Sequence, residues 1–322
     1  MAQHPLRPPY DAELEQPFAA LYTDAPALAA RTLPAMRTAA TGRNALAERA
    51  AEFDVDHHRI AGHRGGAIEL SVVRAAGTRP AGPVLFHVHG GGMVMGDRWS
   101  GIGPFLDWAA EFDADLVTVE YRLAPEHPDP TPREDAYAAL AWAAEHLAGS
   151  QPGPRPMYLL GQSAGGGIAA SLALMARDRG GPALAGQLLL SPMLDDRNRS
   201  CSARQFERTG GWDRRANAFG WESLLGTGHQ ERELERHAAA ARTEDLAGLA
   251  PTFLECGTAE VFRDETVAWA GRLWAAGNDA ELHMWAGGFH RYDQLAPASA
   301  LSEATRAART GWLRRRLGGA AG

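Results

Sequence analysis

Six short apolar runs punctuate the chain at fairly even intervals: "PVLFHVH" (83–89), "DLVTVEY" (115–121), "MYLLG" (157–161), "GQLLLS" (186–191), "PTFLEC" (251–256) and "AELHMW" (280–285). Each is strand-length and too short for a buried helix. Helical patterns separate them, at 104–112, 133–147, 163–178, 264–277 and 299–317. Near-continuous apolar strands need both faces covered, and helices in the crossovers cover them. The pattern therefore predicts an α/β fold with a mainly parallel central sheet flanked by helices. One further run, "GAIELSVVR" (66–74), alternates like a half-buried strand.

Two stretches break this rhythm. Residues 1–50 read as short helices, with Phe18, Leu21 and Tyr22 on one face and Pro26 and Pro34 as breaks. Residues 197–248 are charged and rich in Arg, Trp and His, and read as a helical insertion over one end of the sheet. Its His229 and His237 are expected to be solvated.

Composition removes several chemistries. All 32 Lys+Arg residues are arginine, which rules out a P-loop lysine, a Schiff-base lysine and a Ser–Lys dyad. The net charge of −7 offers no basic footprint for nucleic acid. Two cysteines, Cys201 and Cys256, make no disulfide framework and fit a reduced, cytoplasmic protein. The start, "MAQHPLRPPYDAELEQPF", lacks the apolar core of a signal peptide, and no run approaches the ~20 apolar residues of a membrane span. "DVDHH" (54–58) collects acids and histidines, but strand alternation would split them across two faces. No metal is expected there.

"GQSAG" (161–165) fits G-x-S-x-G and sits where an apolar run meets a helical pattern, as a nucleophile elbow requires. The alternative use of such glycines, a phosphate cradle, needs a lysine or a G-x-G-x-x-G after a strand, and neither occurs. "HVHGGGMVMGD" (87–97) follows "PVLF" directly. Three glycines in a row let backbone N–H groups converge on developing negative charge. A serine nucleophile needs a base and the base an orienting acid, in the chain order Ser, acid, His. His290 follows the last apolar run through a Gly-Gly turn, while His283 lies within that run and reads as structural. For the acid, "PTFLECGTAEVFRDE" offers Glu255, Glu260, Asp264 and Glu265.

Over residues 80–295 these motifs resemble the bacterial hormone-sensitive-lipase-like esterases, a branch of the α/β-hydrolase fold. "HGGGMVMGD" is similar to their HGGG segment, "YRLAPEHP" (121–128) to the signature after the next strand, and "GQSAGG" to GDSAGG, with Gln162 in place of Asp. "SPMLDDR" (191–197) and "GFH" fit as well. The resemblance implies Ser163 as nucleophile, His290 as base, and Gly91, Gly92 and Ala164 as oxyanion donors, with His89 and Gly90 supporting the HGGG loop. The acid departs from the usual D-P-L-R-D-E: Glu260 takes its place, and Asp264 is expected to cap the next helix.

The resemblance further implies a serine carboxylesterase acting on a small-molecule ester through an acyl-enzyme, with no cofactor. Residues 1–50 would form an N-terminal cap segment, and 51–322 the catalytic domain, with a cap insertion at about 197–248. Phe206 and Trp212 are candidate pocket walls. The charged insertion favours short acyl or aryl esters over long lipids. An amidase or formamidase with the same triad is the alternative. A non-catalytic hydrolase-fold receptor would have lost the histidine that this chain keeps. A homodimer is compatible with the sequence, which does not fix the oligomeric state.

Overall fold

The computed structural model describes residues 6–23, 25–41, 45–78, 81–149 and 154–318. Within them lie eight strands: β1 Phe53–Ala61, β2 Ala67–Ala75, β3 Val84–Val88, β4 Asp115–Glu120, β5 Met157–Gln162, β6 Gly186–Leu190, β7 Thr252–Gly257 and β8 Ala280–Trp285. They form one sheet in the order β1-β2-β4-β3-β5-β6-β7-β8. β1 and β2 run antiparallel to their neighbours, and the other six strands are parallel. The helices are α1 Ala12–Tyr22, α2 Leu33–Thr41, α3 Ala45–Glu48, α4 Gly103–Glu111, α5 Thr131–Ala143, α6 Ala164–Arg179, α7 Cys201–Gln205, α8 Arg214–Leu225, α9 Arg263–Ala275, α10 Tyr292–Leu295 and α11 Ala300–Gly318.

All six apolar runs are parallel strands; β3 to β7 are buried almost throughout, as their composition suggested, while β8 at the sheet edge is half-buried. On β3, Val84, Phe86 and Val88 face the larger core with residues of α5, α6, α8 and α9. Leu85 between them faces the smaller core, with Phe105 and Trp108 of α4 and Trp312 of α11. β5 repeats the split, with Leu159 on one face and Tyr158 and Leu160 on the other. A two-sided strand has no solvent face to mark with polar residues. β1, at the sheet edge, does alternate: Asp56 pairs with Arg74 while His57 turns to Ser71.

The connections create the crevice that matters. β3 leads through α4 to β4 on one side, and β4 leads through α5 to β5 on β3's other side. The chain therefore leaves the carboxyl ends of β3 and β5 in opposite directions, and such a switch point is where open α/β sheets bind ligands. The HGGG segment follows β3, and Ser163 follows β5.

Two details differ from the sequence expectation. The buried face of α1 is Leu14, Phe18 and Tyr22, with Leu21 36% exposed, because the helix packs its i, i+4, i+8 row on Phe289. Residues 1–5, 24 and 42–44 of the N-terminal segment lie outside the described residues. His229 and His237 are not solvated: each is buried against a carboxylate, Asp196 at 2.8 Å and Asp178 at 2.7 Å. Trp221, Leu224 and Leu225 of α8 join the main core and draw the insertion's charges inward with them, where they pair.

Candidate active site

The elbow is visible in the backbone. Ser163 sits between β5 and α6 at φ 58° and ψ −125°, a strained conformation for a residue with a side chain. Its N–H donates to Leu190 O at 2.9 Å, and its carbonyl accepts from the N–H groups of Gly167 and Met193. Gly165 permits the approach of α6 to β3, since a Cβ there would lie 2.0 Å from Val88 O.

Three strand ends bring three side chains together. Ser163 follows β5, Glu260 follows β7 and His290 follows β8. His290 Nε2 lies 3.0 Å from Ser163 Oγ, and His290 Nδ1 lies 2.8 Å from Glu260 Oε2. All three residues are buried, with 1–3% of each exposed. A carboxylate can only accept, so Nδ1 carries the proton and Nε2 presents its lone pair to the serine hydroxyl. The Phe262 ring stands edge-on to the imidazole at 5.2 Å.

The other acids do not reach the histidine. Glu255 is held by Arg309 and by Trp285 Nε1. Glu265 accepts the N–H of Leu194 at 2.7 Å, and burial pushes its carboxyl well up. Asp264 accepts the N–H of Ser202 at 2.7 Å, so the helix it caps is α7, and not its own α9. The two chain segments fold against each other there, which the linear motif does not reveal.

The glycine loop lies beside the serine. A Cβ on Gly90 would stand 3.3 Å from Ser163 Cβ. Gly91 at φ 114° and Gly92 at φ 63° turn the chain, and Gly91 O accepts from Val94 and Met95 N–H. Among the described residues the N–H groups of Gly91 and Gly92 donate to no backbone carbonyl. Ala164 opens α6, so its N–H has no carbonyl inside the helix. His89 stacks on Tyr121 at 4.1 Å, and its Nδ1–H donates to Gly90 O at 2.8 Å. Burial pushes its imidazole down to about 4, so it is neutral at pH 7. The Tyr121 hydroxyl donates to His89 O at 2.9 Å. The first residue of "YRLAPEHP" thus braces the loop, a role the sequence reading did not assign.

The structure also accounts for Gln162. Its Oε1 accepts from Gln294 Nε2 at 2.6 Å, across from the elbow to α10. A second residue that sequence reasoning missed is Cys256, whose Sγ lies 2.6 Å from Glu260 Oε1. A cysteine ending an apolar run reads simply as core.

Of the expected walls, Trp212 lies directly on the glycine loop: a Cβ on Gly92 would stand 2.2 Å from its ring. The Tyr22 hydroxyl of α1 abuts neighbouring Gly211. Phe206 is wholly buried in the main core and presents no surface to a pocket. Among the described residues no cluster of three or more His, Cys, Asp or Glu could hold a metal ion, and no helix is long and apolar enough to cross a membrane.

A family model described as alpha/beta hydrolase fold matches residues 85–294. Esterase LipI from Mycobacterium tuberculosis is 37% identical over 234 residues, 69% of this chain and 70% of that protein. Carboxylesterase NlhH from the same organism is 34% identical over 227 residues, 68% of this chain and 70% of that protein. The solved structure of a bacterial heroin esterase superposes with a TM-score of 0.84 at 33% identity, covering 96% of this chain and 98% of that one. Esterase LipW from Mycobacterium marinum gives 0.83 at 29% identity, with 96% and 98% coverage. The chain belongs to the α/β-hydrolase fold family, in its branch of bacterial hormone-sensitive-lipase-like esterases.

Proposed function

We propose that this chain is a serine carboxylesterase for short acyl or aryl esters of small molecules, with Ser163, His290 and Glu260 as its catalytic triad. The observation that carries the reading is the unbroken Ser163–His290–Glu260 hydrogen-bond chain, at 3.0 and 2.8 Å, beside backbone N–H groups that find no backbone carbonyl among the described residues. Ser163 Oγ attacks the ester carbonyl while His290 Nε2 takes its proton. The oxyanion rests on the N–H groups of Gly91, Gly92 and Ala164, and losing one such donor costs about 2.7–4 kcal/mol of transition-state stabilisation. The alcohol leaves with the proton from His290. Water, activated by the same imidazole, then releases the acid. Every proton in this cycle stays on Ser163, His290, substrate or water.

Residues 1–50 and about 197–248 act as the cap in this reading, and the remainder of 51–322 as the catalytic domain. Support comes from α1, which packs on Phe289 beside the histidine, and from Trp212, which packs on Gly92. A roof with Tyr22 and Trp212 over the site suits a compact acyl or aryl group. Localisation in the cytoplasm fits two free cysteines.

The test is hydrolysis of p-nitrophenyl acetate and butyrate by wild type and Ser163→Ala, with matched anilides in parallel. The expected result is rapid ester cleavage by the wild type, weak or no anilide cleavage, and loss of ester activity in a folded variant. Retention of activity by Ser163→Ala sinks the assignment, and preferential anilide cleavage turns it toward an amidase.

A further inference from the structure

A triad carboxylate buried without an arginine or lysine has to be held by other donors. Glu260 is 1% exposed, and two groups reach it among the described residues: His290 Nδ1 on Oε2 and the Cys256 thiol on Oε1. Each oxygen of a carboxylate has two lone pairs and no proton to give, so leaving one oxygen bare in an apolar setting is costly. The sulfur is likewise buried, at 1% exposure, on the α9-facing side of β7. The Ser191 and Thr266 hydroxyls flank it. Thr266 already donates its proton to Phe262 O. A thiol has one proton, and the strongest acceptor in reach is the anionic Glu260. Burial, then the nearby carboxylate, push the thiol well above its ordinary range, which keeps that proton on sulfur.

We propose that Cys256 is a positioning residue for the Glu260 carboxylate, donating S–H to Oε1 so that Oε2 is aimed at His290. The inference rests on the triad reading above. It goes further in assigning the glutamate, one methylene longer than the usual aspartate, a dedicated second anchor four residues earlier in the chain. The arrangement is a relay of fixed hydrogen bonds: thiol to Oε1, imidazole N–H to Oε2, serine hydroxyl to Nε2. Cys256 touches neither substrate nor reacting atoms. Its effect passes through the orientation of Glu260 and through how much negative charge that carboxylate turns toward the imidazole. The groups facing this carboxylate are His290 from the loop after β8, Cys256 from β7 and the buried Glu265 from α9.

The test compares Cys256→Ser, Cys256→Ala and Cys256→Val with wild type, using p-nitrophenyl butyrate. kcat, KM and the pH dependence of kcat/KM are measured, and folding is checked by thermal unfolding. Losing the donor is expected to lower kcat roughly threefold to tenfold with little change in KM both in Cys256→Val, which is bulkier than cysteine, and in Cys256→Ala, which is smaller. It leaves more charge on the carboxylate, which then holds a protonated imidazole more tightly, so the acid limb of kcat/KM moves to higher pH. Cys256→Ser, with a hydroxyl donor, returns kcat and the limb toward wild type. A folded Cys256→Val with wild-type kcat and an unmoved acid limb overturns the inference, as does a Cys256→Ser variant no better than Cys256→Val.

A second measurement needs no turnover. In a Cys201→Ala background the remaining S–H stretch reports Cys256 alone. It is expected at lower frequency than a free thiol and to rise in Glu260→Gln. An S–H band at the free-thiol position overturns the inference even if the variants fold poorly. Ser163→Ala is run alongside: its survival would fail the triad, whereas a dead Ser163→Ala with an indifferent Cys256 fails only the thiol's role.

Discussion

Gln162 Oε1 accepts a 2.6 Å hydrogen bond from Gln294 Nε2, joining the residue before the serine to α10, which begins two residues after the histidine. The amide orientation follows from the neighbours. Arg291 can only donate, and it donates through Nε and Nη2 to Gln294 Oε1, so Gln294 turns its NH2 to Gln162. A neutral amide pair therefore spans the two halves of the Ser–His couple. Removing either partner should loosen their spacing more than it harms substrate binding. Gln162→Ala and Gln294→Ala are each expected to lower kcat by about twofold to tenfold with KM nearly unchanged, and the double variant should cost little more than either single one. Steady-state kinetics on one ester decides; additive losses would show that the two amides act separately.

The acid assignment separates two neighbours. Glu260→Ala should reduce kcat by about 10⁴-fold in a folded protein, as loss of an orienting carboxylate does elsewhere. Asp264→Ala removes the carboxylate that accepts Ser202 N–H and should cost about 1 kcal/mol of stability with activity largely kept. Paired unfolding and activity measurements check both; an inactive but folded Asp264→Ala would reverse the assignment.

Acid sensitivity should come from the strand that carries the glycine loop. His87 and His89 are 1% and 0% exposed, and burial holds them at about 3 and about 4 against the ordinary 6.5. The unfolded chain binds protons at both sites below 6.5, while the folded chain refuses them until far lower. Their stabilising effect is thus whole above 6.5 and drains as pH falls toward 4 and then 3, roughly 3 kcal/mol in the case of His89. Chemical unfolding of wild type and His87→Gln from pH 7 to 4.5 tests this. The variant should lose stability less steeply, and parallel curves would remove the explanation.

Two glycines on two helices should answer the same substitution oppositely. Gly165→Ala places a Cβ 2.0 Å from Val88 O, where backbone meets backbone, and should destabilise by more than about 3 kcal/mol or prevent folding. Gly271 in α9 has no atom within 4 Å of an added Cβ, and Gly271→Ala should stabilise by up to about 1 kcal/mol. Thermal unfolding of the two variants reads both signs.

What could be read from the chain beforehand followed from how each segment is solvated. The inner parallel strands announced themselves because neither face meets water, and β8, half-buried at the sheet edge, did so through its apolar residues. β1 was less plain, because its exposed acids and arginine break up the apolar pattern until β2 pairs with them. Ser163, the glycine loop and His290 were legible because each sits at a strand end with glycines whose backbone demands are specific. Glu260 required the resemblance, since four acids lie within residues 255–265 and their linear order does not say which one faces the histidine. Cys256, Tyr121 and Gln294 were not legible: each acts through a partner 4 to 132 residues away, and nothing in its local pattern differs from ordinary core or surface. The insertion's histidines misled because their partners, Asp196 and Asp178, lie outside the insertion and meet them only in the fold.

The docking of α1 has a consequence for the order in which this molecule can be completed. Its Asp11 N–H bonds Gly287 O, its Phe18 and Tyr22 pack on Phe289, and Glu13 accepts the N–H of Ala300. The helix is made well before its seat, which lies up to 287 residues further along the chain. Until that later segment has emerged from the ribosome, its aromatic face has nowhere native to go, and the histidine loop it covers does not yet exist. Contacts of such long sequence separation form late and slowly. A nascent chain therefore carries an exposed aromatic row and an incomplete Ser163–His290–Glu260 hydrogen-bond chain together, and the same closure buries the one and finishes the other.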